Sequence, residues 1–158
     1  YHNALINSNF VFFDSGYFVL LLRLLKNIKV NKFSGYKFLK LLFIFLQKNN
    51  SKKIFLIDPN QNSSKINKIF FTDLGLCNIK NYVSPIYDKN TIYDYILLKE
   101  IDEFKPDYLI INLAGGVQET LGFFIKQKAR KSSKIICTGG AISYFTGEQA
   151  PINKFIDN

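Results

Sequence analysis

"DYLIINLAGGVQETLGFFIKQK", residues 107–128, carries an apolar run from Tyr108 to Ile111 and then a glycine pair ahead of a helix-length segment. A strand with one face in water alternates polar and apolar residues; "DYLIINL" (107–113) does not, so both of its faces are expected to be covered. The glycines then mark a tight junction, and 117–130 reads as a helix. The same order recurs along the chain. "KIFLI" (53–57) is a strand that ends at the turn "DPNQN" and leads to a weaker helix over 63–72. "KIICT" (134–138) is another buried strand, and "CNIKNYVS" (77–84) a poorer candidate. "FVFF" (10–13) reads as a strand before a helix at 17–27, and "GYKFLKLLFIFLQKN" (35–49) as a second, very apolar helix. The spacing of Ile92, Ile96, Leu97 and Ile101 predicts a helix over 90–104, with Pro106 at its exit. Strands without alternation, each followed by a helix, point to a mostly parallel sheet with helices on both faces and right-handed crossovers. A single Rossmann-like α/β domain over 1–158 is expected.

Composition narrows the function. With 158 residues, 47% of them hydrophobic, the chain can bury one sizeable core. The apolar runs "FVLLLRLL" and "LKLLFIFL" are broken by Arg23 and Lys40 and fall short of the roughly 20 residues a spanning helix needs, so they read as buried helices. "YHNALINSN" has neither the charged region nor the cleavage site of a signal peptide. The chain contains no Met, so a longer parent sequence is expected. Cys77 and Cys137 lack metal-type spacing and sit in apolar surroundings, which predicts reduced, buried thiols in a cytosolic protein. A formal charge of +9 fits an anionic partner: nucleic acid, an anionic membrane surface or a phosphate-bearing substrate. Without an RNA-binding aromatic motif, zinc spacing or a long basic arm, nucleic acid ranks below the other two.

Ligands of open parallel sheets sit beyond the carboxyl ends of the strands. Four clusters are therefore expected at one edge: Asp14-Ser15-Gly16, Asp58-Pro59, Leu113 to Gly116, and Thr138-Gly139-Gly140. The pairs Gly115-Gly116 and Gly139-Gly140 would let backbone N–H groups approach a phosphate, or would simply make tight turns. Neither belongs to a dinucleotide fingerprint or a phosphate loop. Glu119 suits a helix N-terminus electrostatically, whereas Gln118 has less structural reason to stand there and could bond a phosphate or sugar. His2 is the sole histidine, which excludes His-based triads. No Asp-x-Asp pair offers to hold a metal between phosphates, so no metal site is expected. Asp14 has two readings. As an N-cap it would accept amides near Gly16 or Tyr17. As a general base it would need a pKa raised by desolvation against Phe13 and the apolar helix.

Taken in order, "NSNFVFFDSGYFVLLLRLLK", "KFSGYKFLKLL", "AGGVQE" and "GGAISYFTGEQAP" resemble the motifs of the WecG/TagA/CpsF bacterial glycosyltransferases (glycosyltransferase family 26), from about Asn7 to Pro151. The resemblance implies an inverting, metal-independent hexosyltransferase without a cofactor. It would move an N-acetylmannosamine-type or related sugar from a UDP-sugar to an undecaprenyl-diphosphate-linked acceptor, for a cell-wall polymer or surface polysaccharide. It also implies peripheral membrane contact at the inner, cytoplasmic face. By that resemblance Asp14 matches the base and Lys32 stands where an arginine faces the diphosphate. Arg23 matches the arginine of the Arg-Leu-Leu helix, and Gln118 the pocket glutamine. Glu119 and Gly139-Gly140 match positions lining the nucleotide site. The sequence departs from the pattern at Ser15 (for Gly), Lys32 (for Arg), Lys37 (for Asp), Asp58-Pro59 (for Gly-Gly) and Ser143 (for Asp). Those departures keep a second expectation open, a degenerate, non-catalytic module that binds a nucleotide or a partner. The apolar helix at 36–46 suits a core or a subunit interface equally, which leaves a homo-oligomer among the expectations.

Overall fold

Among the described residues, four parallel strands form one sheet in the order β2-β1-β3-β4: β1 (Ile54–Asp58), β2 (Ile79–Val83), β3 (Tyr108–Ile111) and β4 (Lys134–Cys137). The computed structural model describes residues 1–88 and 92–149. Residues 90 and 91, where one helix was expected to begin, and the Ala-Pro pair at 150–151 lie outside the described residues. The described helices are α1 (His2–Ile6), α2 (Gly16–Lys26), α3 (Gly35–Lys48), α4 (Gln61–Asp73), α5 (Tyr95–Phe104), α6 (Val117–Lys128) and α7 (Ser143–Thr146), with a 3-10 turn at Gly139–Ile142. The fold is α/β and Rossmann-like, as the unalternating strands imply.

Period-two geometry divides the core between the two faces of the sheet. Phe55, Ile57, Leu109 and Ile111 point to one side, where Leu97 and Ile101 of α5 and Leu121 and Ile125 of α6 cover them. Ile54, Leu56, Tyr108 and Ile110 point to the other, beneath Leu39, Leu42, Phe43 and Leu46 of α3 and Phe71 of α4. Phe55 is fully buried at the centre of this arrangement. Phe55→Ala should cost about 3–5 kcal/mol in a denaturant titration, through lost transfer energy and the cavity left behind.

Three local expectations are corrected. Residues 10–13 are not a strand: the Phe13 carbonyl accepts from Phe33 N–H at 2.9 Å, and the Phe12 ring stacks on Phe33 at 4.4 Å. Phe33 and Phe38, not a neighbouring strand, thus supply the apolar contacts of this run. Helix α2 is not a buried helix; it contains no buried residue and joins neither core cluster. Both cysteines are free and their residues exposed, but only Cys77 departs fully from the expectation: the Cys137 thiol turns inward to the Gln118 carbonyl at 3.5 Å, where burial pushes its pKa up to about 12. Cys137 ends β4, which among the described residues has no strand beyond it, and Cys77 lies in the connection into β2.

Candidate functional site

Chain order reverses between β1 and β3, because β1 pairs with β2 on one side and β3 on the other. That switch point opens a crevice at the carboxyl edge of such sheets. Here it holds a buried carboxylate. Asp58 ends β1 with no exposed surface, and its Oδ1 accepts from Asn112 Nδ2 (2.8 Å) and Asn67 Nδ2 (2.7 Å). Its Oδ2 accepts from Asn81 Nδ2 (3.1 Å). Burial pushes the Asp58 carboxyl above the ordinary carboxylate range, partly offset by the Asn112, Asn67, Asn81 and Ser64 hydrogen bonds. Thr138 Oγ1 donates to Asn112 Oδ1 at 2.6 Å, so β1, β2, β3, α4 and the exit of β4 are tied through one group. Sequence reasoning placed Asp58-Pro59 among the four edge clusters and noted it as a departure from Gly-Gly, but did not assign it partners; the signal was an acid closing a run of four apolar strand residues, followed by Asn67, Asn81 and Asn112.

The glycine junction after β3 is filled from within. Gly116, at φ +87°, lets the chain turn into α6, and its N–H donates to Glu119 Oε2 at 2.6 Å. The buried Gln118 donates from Nε2 to Glu119 Oε1 (3.0 Å) and accepts from Gly139 N–H at Oε1 (2.7 Å). Gln118 therefore has a structural reason to stand where it does: it couples the β3–α6 junction to the β4 exit. Glu119 occupies the backbone donor that was expected to face a phosphate. Gly115 and Gly140 are exposed at the same edge. Glu119→Gln keeps a hydrogen bond to Gly116 but removes the charge from the helix start, so a loss of about 0.3–1 kcal/mol is expected by thermal unfolding.

Asp14 belongs to a second cluster. It does not cap α2; Ser15 does, its Oγ accepting from Phe18 N–H at 3.2 Å. The Phe13–Phe33 hydrogen bond instead delivers Asp14 to the amino end of α3, where its Oδ2 lies 2.9 Å from the position a Cβ on Gly35 would take. Asp14 is exposed, so the burial invoked for it is not there. The Lys32 stem passes over Gly16, its Cδ 3.7 Å from the place of a Cβ. Beside them runs an open groove of ≈ 420 Å³, lined by Gly16, Val19, Leu20, Arg23, Lys29, Val30 and Asn31. Asp14 and Lys32 thus lie at the start of α2 and Arg23 in its last turn, where it lines the groove, whereas Gln118, Glu119 and Gly139 lie at the sheet edge.

The two clusters share that edge. Helix α3 runs into β1, so its amino end lies beyond the strands' carboxyl ends, and there the Tyr36 ring stacks on Phe145 of α7 at 4.4 Å. Phe145 also meets Phe43 edge-on at 5.0 Å, and Ser63 Oγ donates to Glu148 Oε1 at 3.2 Å. Among the described residues no three His, Cys, Asp or Glu side chains gather to hold a metal ion. An exposed carboxylate beside a lysine and an open cationic groove can accept a proton next to an anionic ligand.

A family model described as "Glycosyl transferase WecG/TagA/CpsF family" matches residues 1–158, the whole chain. Comparison with curated proteins gives no match.

Proposed function

The chain belongs to the WecG/TagA/CpsF glycosyl transferase family, and from that premise we propose that it is an inverting hexosyltransferase using a UDP-sugar donor. A nucleotide-sugar donor and a sugar acceptor follow from the family. The finer assignment is an N-acetylmannosamine-type or related sugar, moved to an undecaprenyl-diphosphate-linked acceptor. It includes work at the cytoplasmic face of the membrane and needs no metal. No helix among the described residues is long and apolar enough to cross a membrane, and contact through a surface is proposed instead.

The observation that carries the reading is Asp14, held between α2 and the amino end of α3, with the Lys32 stem over Gly16 two positions further on. In the proposed step the acceptor hydroxyl oxygen bonds to the anomeric carbon as Asp14 takes its proton. The bond from that carbon to the β-phosphate oxygen breaks, and UDP departs with the electron pair. Attack from the face opposite the leaving group inverts the carbon. Lys32 and Arg23 supply positive charge for the diphosphate, Lys32 as a point charge rather than a bidentate fork.

Calorimetric titration with UDP and with UDP-sugars tests the donor assignment; absence of heat at millimolar nucleotide would count against it. A second reading, a non-catalytic binding module, is favoured by the Gly116 N–H and the Gln118 amide being engaged internally. Sugar transfer that disappears in Asp14→Ala, with folding intact, would rule it out.

A further inference from the structure

Positive charge is distributed very unevenly. Residues 1–57 hold nine Lys and Arg against a single acid, Asp14, so this stretch carries +8 of the formal +9. The same stretch contains the most exposed apolar helix. In α2, Tyr17, Leu24 and Leu25 are 72%, 70% and 73% exposed, and Leu20 is exposed beside them. Tyr17, Leu20 and Leu24, at i, i+3 and i+7, share one face. A helix apolar on nearly every side is ordinarily buried; this one has no buried residue at all. Arg23, Lys26 and Lys29 stand among those side chains and after them, and two of the three line the open groove.

We propose that α2 and its flanks are a docking surface for an anionic lipid bilayer, with α2 lying in the headgroup region. It rests on the peripheral membrane contact included in the proposed function and names the part of the chain that makes it. A bilayer satisfies both halves of the pattern at once: acyl chains take the leucines and tyrosine, and anionic headgroups take Lys26 and Lys29. A soluble anion would leave the apolar residues in water. A second copy would bring another strongly positive face against this one, where like charges repel. Docking here sets the Asp14–Lys32 cluster, one turn from the start of α2, beside the membrane surface.

The test is co-sedimentation of the purified chain, without donor, with vesicles of phosphatidylcholine alone and of equal parts phosphatidylcholine and phosphatidylglycerol. Binding to the anionic vesicles is expected to exceed neutral binding by about tenfold or more and to weaken with salt. Lys26→Gln should lower it about fivefold, the loss of one basic contact. The pair Leu24→Asp and Leu25→Asp should lower it at least about tenfold. These positions are exposed, so circular dichroism melts should match the wild type. Equal binding to both vesicles, or binding indifferent to these substitutions, would overturn the assignment. So would a dimer in sedimentation velocity that Leu24→Asp dissociates while no vesicle is bound. Vesicle binding without sugar transfer would remove the enzymatic reading alone. Transfer to a soluble acceptor without vesicle binding would remove this surface alone.

Discussion

Asp14→Asn is expected to lower the rate of sugar transfer by about 10²–10⁴-fold, the usual weight of a general base, with little change in melting temperature. The separation is possible because capping and proton acceptance fall to neighbouring residues. Ser15 holds the first turn of α2 through Phe18 N–H, so the neutral amide at position 14 disturbs no cap. Ser15→Ala should behave in the opposite way, losing about 1 kcal/mol of stability with the transfer rate nearly preserved. Gly35→Ala gives a third handle. Its new Cβ would lie 2.9 Å from Asp14 Oδ2, which displaces the carboxylate without removing it. Steady-state rates with the proposed donor, beside calorimetric donor affinity, separate the cases: a lost base lowers kcat with donor binding retained. Equal rates for wild type and Asp14→Asn would remove Asp14 from the mechanism.

Asp58→Ala should be the most destabilising single change at the sheet edge, by about 3–5 kcal/mol, because the buried amide groups of Asn67 and Asn112 would lose their acceptor and Asn81 one of its two. For a chain of this size the melting temperature should fall by about 10–20 °C. The pH dependence has a definite direction. The folded state holds Asp58's proton more tightly than the unfolded state, since burial raises the carboxyl's pKa. Its contribution to stability is therefore complete below the ordinary carboxylate range and is lost as pH rises through the raised folded value. Stability measured by urea titration should fall across that window. Asp58→Asn, which cannot titrate, should lack that part of the slope while keeping an acceptor for Asn67 and Asn112.

The sheet was legible because its central strands are unalternating and short: "KIFLI" and "DYLIINL" have both faces covered, are bounded by turn residues and lead into helix-length segments. The run "FVFF" misled for the same reason. Apolar residues signal contact with something apolar, and local sequence does not say whether that is a sheet or, as here, the rings of Phe33 and Phe38. The neighbourhood of Asp14 followed from motif order, but its contact with Gly35 joins segments twenty-one positions apart, beyond any local pattern. Gln118 was singled out for its polarity, yet its partner Gly139 lies on another junction, so its coupling role was invisible in one dimension. The asparagine set around Asp58 is drawn from α4, β2 and the exit of β3, which only the strand order brings together.

The order β2-β1-β3-β4 also bears on how the chain reaches its native state. Ile54 pairs with Ile79 on one side and Tyr108 on the other, and each parallel ladder waits for an intervening helix to form and swing across. No hairpin can nucleate such a sheet, so the search is long and loop closure precedes any gain from pairing. Until β3 arrives, β1 presents "IFLI" with one unpaired edge, an interval in which self-association competes with folding. Dilute refolding at low temperature should therefore recover more native protein than concentrated refolding, independently of anything that happens at the catalytic edge.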